Sequence, residues 1–294
     1  MQPISIVGPG ATDLAGTLAD RLDGRVAVVD CGGEDGERGE APGRAAESEV
    51  TDGGVAVRRD DSDDEGAAER AADTAIALDA DGSWAGRGRV EGLDDLLDGL
   101  APDHDYLVAV GESRLRVPTV LLGADAEPAD VPGSVVAAAD APDQIDLDGL
   151  VTDLADAEPW VTREALVRQV EASADADRAG AIATFTGRVR ARDAPNDDRT
   201  THLAFEKYEG VAAEQMDAIA AELTERDGVF EVRMHHRTGV IEAGEDIVFI
   251  VVLAGHRGEA FRTVEDGIDR LKDEVPIFKK ESTEAEEFWV HRRE

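Results

Sequence analysis

A chain of 294 residues leaves room for about two domains of ~150 residues each. Its 66 Asp and Glu against 30 Lys and Arg give a formal charge of −36, which repels phosphate backbones and argues against nucleic acid as a partner. No apolar run reaches the ~20 residues of a membrane span, Met1-Gln2-Pro3-Ile4 lacks the basic start of a signal peptide, and the lone Cys31 rules out an internal disulfide or a multi-cysteine zinc site.

A cytoplasmic protein with no membrane partner, no metal and no cofactor is therefore expected. The 42% of hydrophobic residues, mostly Ala and Val, suffice for packed cores. The acids run along the whole chain, and 26 Arg accompany only four Lys. That pattern suits a cytoplasm with molar salt, where charge is screened within ~3 Å.

In chain order, Ile4–Val7 predicts a buried strand, Gly8-Pro9-Gly10 a turn, and Leu14–Leu22 a helix capped by Thr12 or Asp13. Arg25–Asp30 follows as a second strand, and this strand–turn–helix–strand order opens a parallel α/β domain. Residues 32–72 form an acidic loop, with a hairpin expected at Val55-Ala56-Val57. Further strands are expected at Thr74–Leu78, Tyr106–Gly111, Val117–Gly123 and Ser134–Ala137, with a helix at Leu93–Leu100. Continuous apolar strands bounded by Gly imply a mostly parallel sheet covered on both faces.

Residues 140–158, rich in Asp, Ala and Pro, carry the domain boundary. Thr162 then caps a helix over Arg163–Ala172. Strands follow at Ala181–Val189, His202–Tyr208, Glu231–Val240 and Asp246–Ala254, interleaved with helices at Val211–Arg226 and Glu259–Asp273. In the second helix Phe261, Val264, Ile268 and Leu271 share a face. Pro276 stops it, Ile277–Lys280 extends, and Phe288–Val290 is a last short strand. The second half is thus α+β with antiparallel pairing.

Three of the four lysines, Lys272, Lys279 and Lys280, fall within nine residues, and the fourth, Lys207, lies on a predicted strand. In a chain that has otherwise replaced Lys by Arg, such survivors point to a role Arg cannot fill. A crowded or buried Lys can release its proton near neutral pH, and Arg cannot. A compact amine serves as nucleophile, general base or proton donor. The plain alternative is a surface cluster paired with Asp273, Glu274 and Glu281. Arg188 and Arg190 point to one side if their strand persists, and Gly255-His256-Arg257-Gly258 links the most apolar strand to a helix N-terminus, where anions bind backbone N–H groups. His235-His236-Arg237 fits a structural role better. Together these cations imply a small, strongly anionic ligand such as a phosphate ester.

The segments Ala183–Arg190, Phe205–Tyr208, His236–Gly239, Gly244–Phe249, Ala254–Arg257 and Leu271-Lys272 with Lys279-Lys280-Glu281 occur in the order of the large, catalytic subunit of molybdopterin synthase, the MoaE family. Residues 160–294 resemble nearly that family's whole length. The resemblance implies conversion of cyclic pyranopterin monophosphate into molybdopterin. The sulfur comes from the thiocarboxylated Gly-Gly tail of a small β-grasp partner, and two large subunits form the core of a heterotetramer. It implies Lys272 and Lys279 as the catalytic pair, with Arg188, Arg190, His256, Arg257, Lys280, Glu281, Phe185 and Arg293 at the substrate pocket. It leaves open whether His256 and Arg257 act across the dimer. Two departures are Ile268, where some members place Met, and Lys280, often Arg.

Residues 1–155 resemble a P-loop domain associated with molybdopterin-guanine dinucleotide synthesis, MobB-like. Counted from Gly8, however, Asp13, Leu14 and Ala15 stand where Gly, Lys and Ser or Thr belong in Gly-x-x-x-x-Gly-Lys-Ser/Thr. The fold expected is an α/β N-terminal domain, mostly parallel and P-loop-like but degenerate, followed by an α+β domain with antiparallel sheets and helices, a MoaE-like hammerhead. Rival readings are a nucleotide-dependent enzyme led by the first half and a non-enzymatic scaffold for ubiquitin-like partners.

Overall fold

The computed structural model describes residues 1–31, 75–80, 82, 84–90, 92–111, 115–124, 128, 131–192, 194–195, 197–207, 210–283 and 287–290. The acidic loop 32–72, the hairpin expected at Val55-Ala56-Val57 and Arg293 lie outside the described residues.

The first half is built on β1 (Gln2–Val7), β2 (Val26–Asp30), β5 (Tyr106–Val110), β6 (Thr119–Leu122) and β7 (Val135–Ala139), all parallel in the order β2-β5-β1-β6-β7. The three central strands are buried along nearly their whole length because helices cover both faces. On one face α1 (Ala11–Ala19) and α3 (Leu147–Asp156) pack Leu14, Leu18, Leu150 and Leu154 against Ile4, Ile6 and Val108. On the other, α2 (Leu93–Leu100) places Leu97 against Leu107 and Ala109.

The turn after β1 is close-packed. A Cβ on Gly8 would stand 1.9 Å from the Leu122 carbonyl oxygen, and φ there is +114°, so only Gly fits. Helix α1 starts at Ala11 with Gly10 as its cap, not at Leu14 behind Thr12 or Asp13. Neither side chain caps, because both already lie in the first turn. The boundary stretch 140–158 is also more ordered than its composition suggests. Asp146 caps α3 by accepting from the Gly149 N–H at 3.2 Å, and Leu150 and Leu154 anchor the helix in the core. An antiparallel pair, β3 (Ala75–Leu78) and β4 (Trp84–Arg87), completes this half; its second strand was not expected.

The second half holds two antiparallel sheets. The first has the order β10-β12-β8, with β8 (Ala181–Arg188), β10 (Val229–His236) and β12 (Asp246–Ala254). Helices α5 (Val211–Thr224) and α6 (Arg257–Glu274) cover one face through Met216, Ile219, Ile268 and Leu271. On the other face α4 (Arg163–Glu171), capped by Thr162, packs Leu166 and Val170 against Phe249 and Val251. That double cover explains why β12 is apolar along nearly its whole length.

The second sheet has the order β11-β9-β13-β14, with β9 (Thr200–Lys207), β11 (Gly239–Glu242), β13 (Ile277–Thr283) and β14 (Glu287–Val290). The expected strand Glu231–Val240 is in fact two. The chain leaves the first sheet after His236, turns, and enters the second at Gly239, whose φ of +82° a side chain would oppose. Phe261 also departs from expectation: Ala260, Thr263, Gly267, Ile268 and Leu271 form the buried face of α6, and Phe261 is 65% exposed. Among the described residues no helix is long and apolar enough to cross a membrane.

Candidate active site

Helix α6 carries the two ends of the candidate site. His256 is its N-cap and Arg257 its first residue, and both are exposed. Lys272 lies in its last turn, also exposed, where a cation complements the helix dipole. Pro276 breaks the helix, and Lys279 follows as the third residue of β13. The helix runs back along β12. Gly267 packs against Ile250, whose strand partner is Phe185, so the C-terminal end of α6 overlies the end of β8 that carries Gly187 and Arg188. Lys272, Phe185 and Arg188 therefore lie toward one end of the first sheet, and Lys279 follows five residues after the helix, on β13 of the second. At 1.5 Å per residue, His256 lies about 24 Å from Lys272 along the helix.

On β13, Lys279 stands opposite Phe205 and Glu281 opposite Leu203. Alternation puts Lys279 and Glu281 on the sheet face that buries Phe205 and Leu203, and sends Lys280 to the other face. Glu281 is fixed by the Thr200 hydroxyl, which donates to Oε1 at 2.5 Å. Behind Lys279, the Phe205 ring meets the His236 ring edge-on at 4.9 Å. His236 is 6% exposed, and its Nδ1 lies 2.7 Å from the Arg237 carbonyl. A carbonyl only accepts, so Nδ1 carries the proton. His236 is a satisfied structural residue, as its strand position suggested.

Strand β8 ends at Arg188, so Arg190 lies beyond the ladder, exposed, and the continuing strand that would align the two is not formed. Arg188 is held from below. Its Nε stands 3.0 Å from Asp246 Oδ1, and a terminal nitrogen donates to the Gly244 carbonyl. Its side chain is still 64% exposed. Phe185 is half-buried against the core under α6. Two surface depressions, one beside Glu171, Gly180 and Ile182 and one beside Arg226, Glu259 and Asp266, include neither catalytic candidate in their lining. Among the described residues no cluster of His, Cys, Asp and Glu is arranged to hold a metal.

Partners not singled out by residue type complete the picture. Asp246 is one, lying within a segment that carries the family resemblance. Arg237 and Trp160 are others. Arg237 donates to the Asp246 carbonyl at 3.0 Å and lies 5.7 Å over the Trp160 ring. Trp160 Nε1 donates to Asp98 of α2 at 2.8 Å, and its backbone exchanges bonds of 2.8 and 3.2 Å with Met1. Arg168 to Asp103 at 2.6 Å and Thr238 to Glu158 at 2.5 Å join the same seam between the halves.

The seam crowds carboxylates. Partial desolvation at the seam raises Asp94 above its ordinary value of 3.8, with Glu245 adding to the effect and Arg237 opposing it. Burial also raises Asp98, against the Trp160 hydrogen bond and Arg237. An acid raised on folding adds stability below its unfolded value and loses that contribution as pH rises through its folded one. Asp94→Asn should therefore raise the melting temperature at pH 7 by about 1–2 °C, a small effect because the side chain sits at an exposed rim. Melts from pH 7 down to pH 3.5 should show the gain vanish as the wild-type carboxyl protonates. A gain that grows toward low pH would contradict this.

The MoaE protein family matches residues 159–274. Over 294 residues the chain is 51% identical to a protein of Haloferax volcanii called a probable molybdopterin synthase, covering 100% of both chains. It is 38% identical over 130 residues to the molybdopterin synthase catalytic subunit of Bacillus subtilis, which spans 44% of this chain and 79% of that one. Among solved structures, molybdopterin synthase from Staphylococcus aureus aligns over 40% of this chain and 83% of its own, with 32% identity and a TM-score of 0.37. The chain belongs to the MoaE family of molybdopterin synthases.

Proposed function

We propose that this chain is the catalytic subunit of a molybdopterin synthase. It transfers sulfur from the thiocarboxylated tail of a small β-grasp partner to cyclic pyranopterin monophosphate. A role in molybdenum cofactor biosynthesis follows from its family. The observation that carries the finer reading is Lys272 in the last turn of α6 over the strand end that carries Arg188, with Lys279 on the strand that follows, in a chain with only four lysines.

Each sulfur replaces an oxygen substituent of the substrate. The thiocarboxylate sulfur bonds to carbon as the carbon–oxygen bond breaks, the oxygen leaving with the bonding pair and a proton, and water then cleaves the acyl–sulfur bond. The tail leaves as a carboxylate and the sulfur stays as a thiolate. Lys272 engages the acyl and sulfur-transfer step through its amine, and Lys279 orients the substrate. Arg188, Arg190, Lys280 and, at the C-terminus, Arg293 attract phosphate and pterin, with Phe185 and Glu281 shaping the pocket. His256 and Arg257 complete the site from the second copy of a homodimer. The exposure of Lys272 and the ~24 Å from His256 to Lys272 along α6 support that arrangement.

The first half, residues 1–155, fits a P-loop-like, MobB-like scaffold that no longer handles nucleotides. In chain order its parallel strands lie 2-3-1-4-5, with the glycine turn after the first strand at the switch point. Asp13 in the first turn of α1 and the packing of Gly8 on Leu122 both disfavour a phosphate there. The protein would work in a salty cytoplasm, consistent with its charge of −36.

The test is reconstitution in molar salt. The purified chain, a thiocarboxylated small partner and cyclic pyranopterin monophosphate should yield molybdopterin, with two carrier tails consumed per product. No product from a folded chain that binds the partner would sink the enzyme reading in favour of a scaffold.

A further inference from the structure

We propose that Arg237 and Trp160 are positioning residues through which the first half of the chain sets the grip of Arg188 on the anionic substrate. The inference rests on the reading of Arg188 as a substrate ligand. It assigns a working role to the otherwise unexplained seam between the halves.

The contacts form one continuous path. Asp98, on α2 of the first half, accepts from Trp160 Nε1 at 2.8 Å. The Trp160 backbone is also locked to Met1, next to β1. The indole ring is therefore fixed relative to the parallel sheet. The Arg237 guanidinium lies over that ring at 5.7 Å and donates to the Asp246 carbonyl at 3.0 Å. Its backbone is pinned too: the Arg237 N–H donates to the Ile247 carbonyl at 2.8 Å, and its own carbonyl accepts from His236 Nδ1. Asp246 then holds Arg188 Nε at 3.0 Å, and the adjacent Gly244 carbonyl holds a terminal nitrogen.

Arg188 has five N–H donors and spends some on this cradle. The rest sit on a side chain that is 64% exposed. How firmly an anion is held depends on how rigidly the cradle keeps the fork in place, because a planar guanidinium binds best when its geometry is preset. Arg237 and Trp160 touch neither Arg188 nor the lysines in any of these contacts. They act on the turn that carries Gly244 and Asp246.

The experiment measures steady-state kinetics of the full chain with its small partner, varying cyclic pyranopterin monophosphate. Arg237→Lys keeps the charge but loses the planar fork. Trp160→Phe keeps the ring but loses the bond to Asp98. Asp98→Ala, on exposed α2, removes the acceptor of that bond from the other side. Each should raise KM for the pterin about five- to tenfold, the scale of one cation–π contact or one charge-assisted hydrogen bond, with kcat within about twofold. KM for the small partner should not move.

The decisive comparison repeats these variants on an Arg188→Ala background. A path that ends at Arg188 predicts no further rise in KM there. Persistence of the effect, or a parallel fall in kcat, would overturn the proposal in favour of a merely structural seam. If Arg188→Ala itself leaves KM unchanged, the reading of Arg188 as a substrate ligand fails and this inference falls with it. If Arg188→Ala raises KM and none of the seam variants does, only the coupling is wrong.

Discussion

Lys272→Ala should lower molybdopterin formation by about 10³-fold, within the range a positioned proton donor or acceptor contributes, while partner binding and melting temperature stay close to wild type. Lys272 is exposed in the last turn of α6, at the edge of the face that buries Ile268 and Leu271. Its removal opens no cavity, and the lost dipole interaction is worth under about 1 kcal/mol. The loss of activity can then be assigned to chemistry rather than to folding. Lys272→Arg is the sharper variant. It keeps the cation at the helix C-terminus but cannot give up a proton near neutral pH. It should be nearly as inactive as Lys272→Ala in single-turnover assays with saturating partner. Full activity in the Arg variant would show that only positive charge is needed there. Lys279→Ala, beside Phe205 on β13, should fall chiefly in KM for the pterin, as expected of an orienting group.

The clearest signals in the sequence were those set by two-sided burial. Strand β12 is nearly continuously apolar because α4 covers one face and α5 and α6 the other. The central strands of the first sheet are apolar for the same reason. Less was visible where one chain segment serves two sheets. Residues Glu231 to Val240 look like a single strand until the positive φ at Gly239 takes the chain from the first sheet to the second. Phe261 has the spacing of a core residue but lies on the outer side of α6.

The site shows the same division. The scarcity of lysine drew attention to Lys272, Lys279 and Lys280 without any structure, and the family resemblance named the first two as the candidate pair. The opposite orientations of Lys279 and Lys280 also follow from strand period alone, once β13 is known to reach past them. The support of Arg188 was not legible. Asp246 lies 58 residues away, and Trp160 and Asp98 join the path only after two sheets have folded. Local patterns report which face a residue prefers. They do not report which distant carbonyl or carboxylate will meet it.

Mixing two inactive variants should restore activity to about a quarter of wild type. His256 and Arg257 begin α6 and Lys272 ends it, about 24 Å apart at 1.5 Å per residue. A phosphate ester small enough to fit beside Lys272 cannot also reach Arg257 of the same chain. In a twofold dimer the start of one α6 can meet the end of the other. Lys272→Ala and Arg257→Ala should each be inactive as pure dimers. Random mixing makes roughly half the dimers mixed, and each mixed dimer has one intact site and one doubly damaged site, which gives about a quarter of the wild-type sites. Lys272→Ala mixed with Lys279→Ala is the internal control. Both lesions belong to the same chain's contribution, so every site keeps one defect and the mixture shows no more activity than the average of the two pure variants. Recovery in the first mixture and not in the second, after co-refolding and measurement in molar salt, would assign His256 and Arg257 to the partner's site. Absence of recovery in both, with mixed dimers demonstrated by mass, would place the two ends of α6 in separate roles and leave the lysine end to hold the phosphate alone.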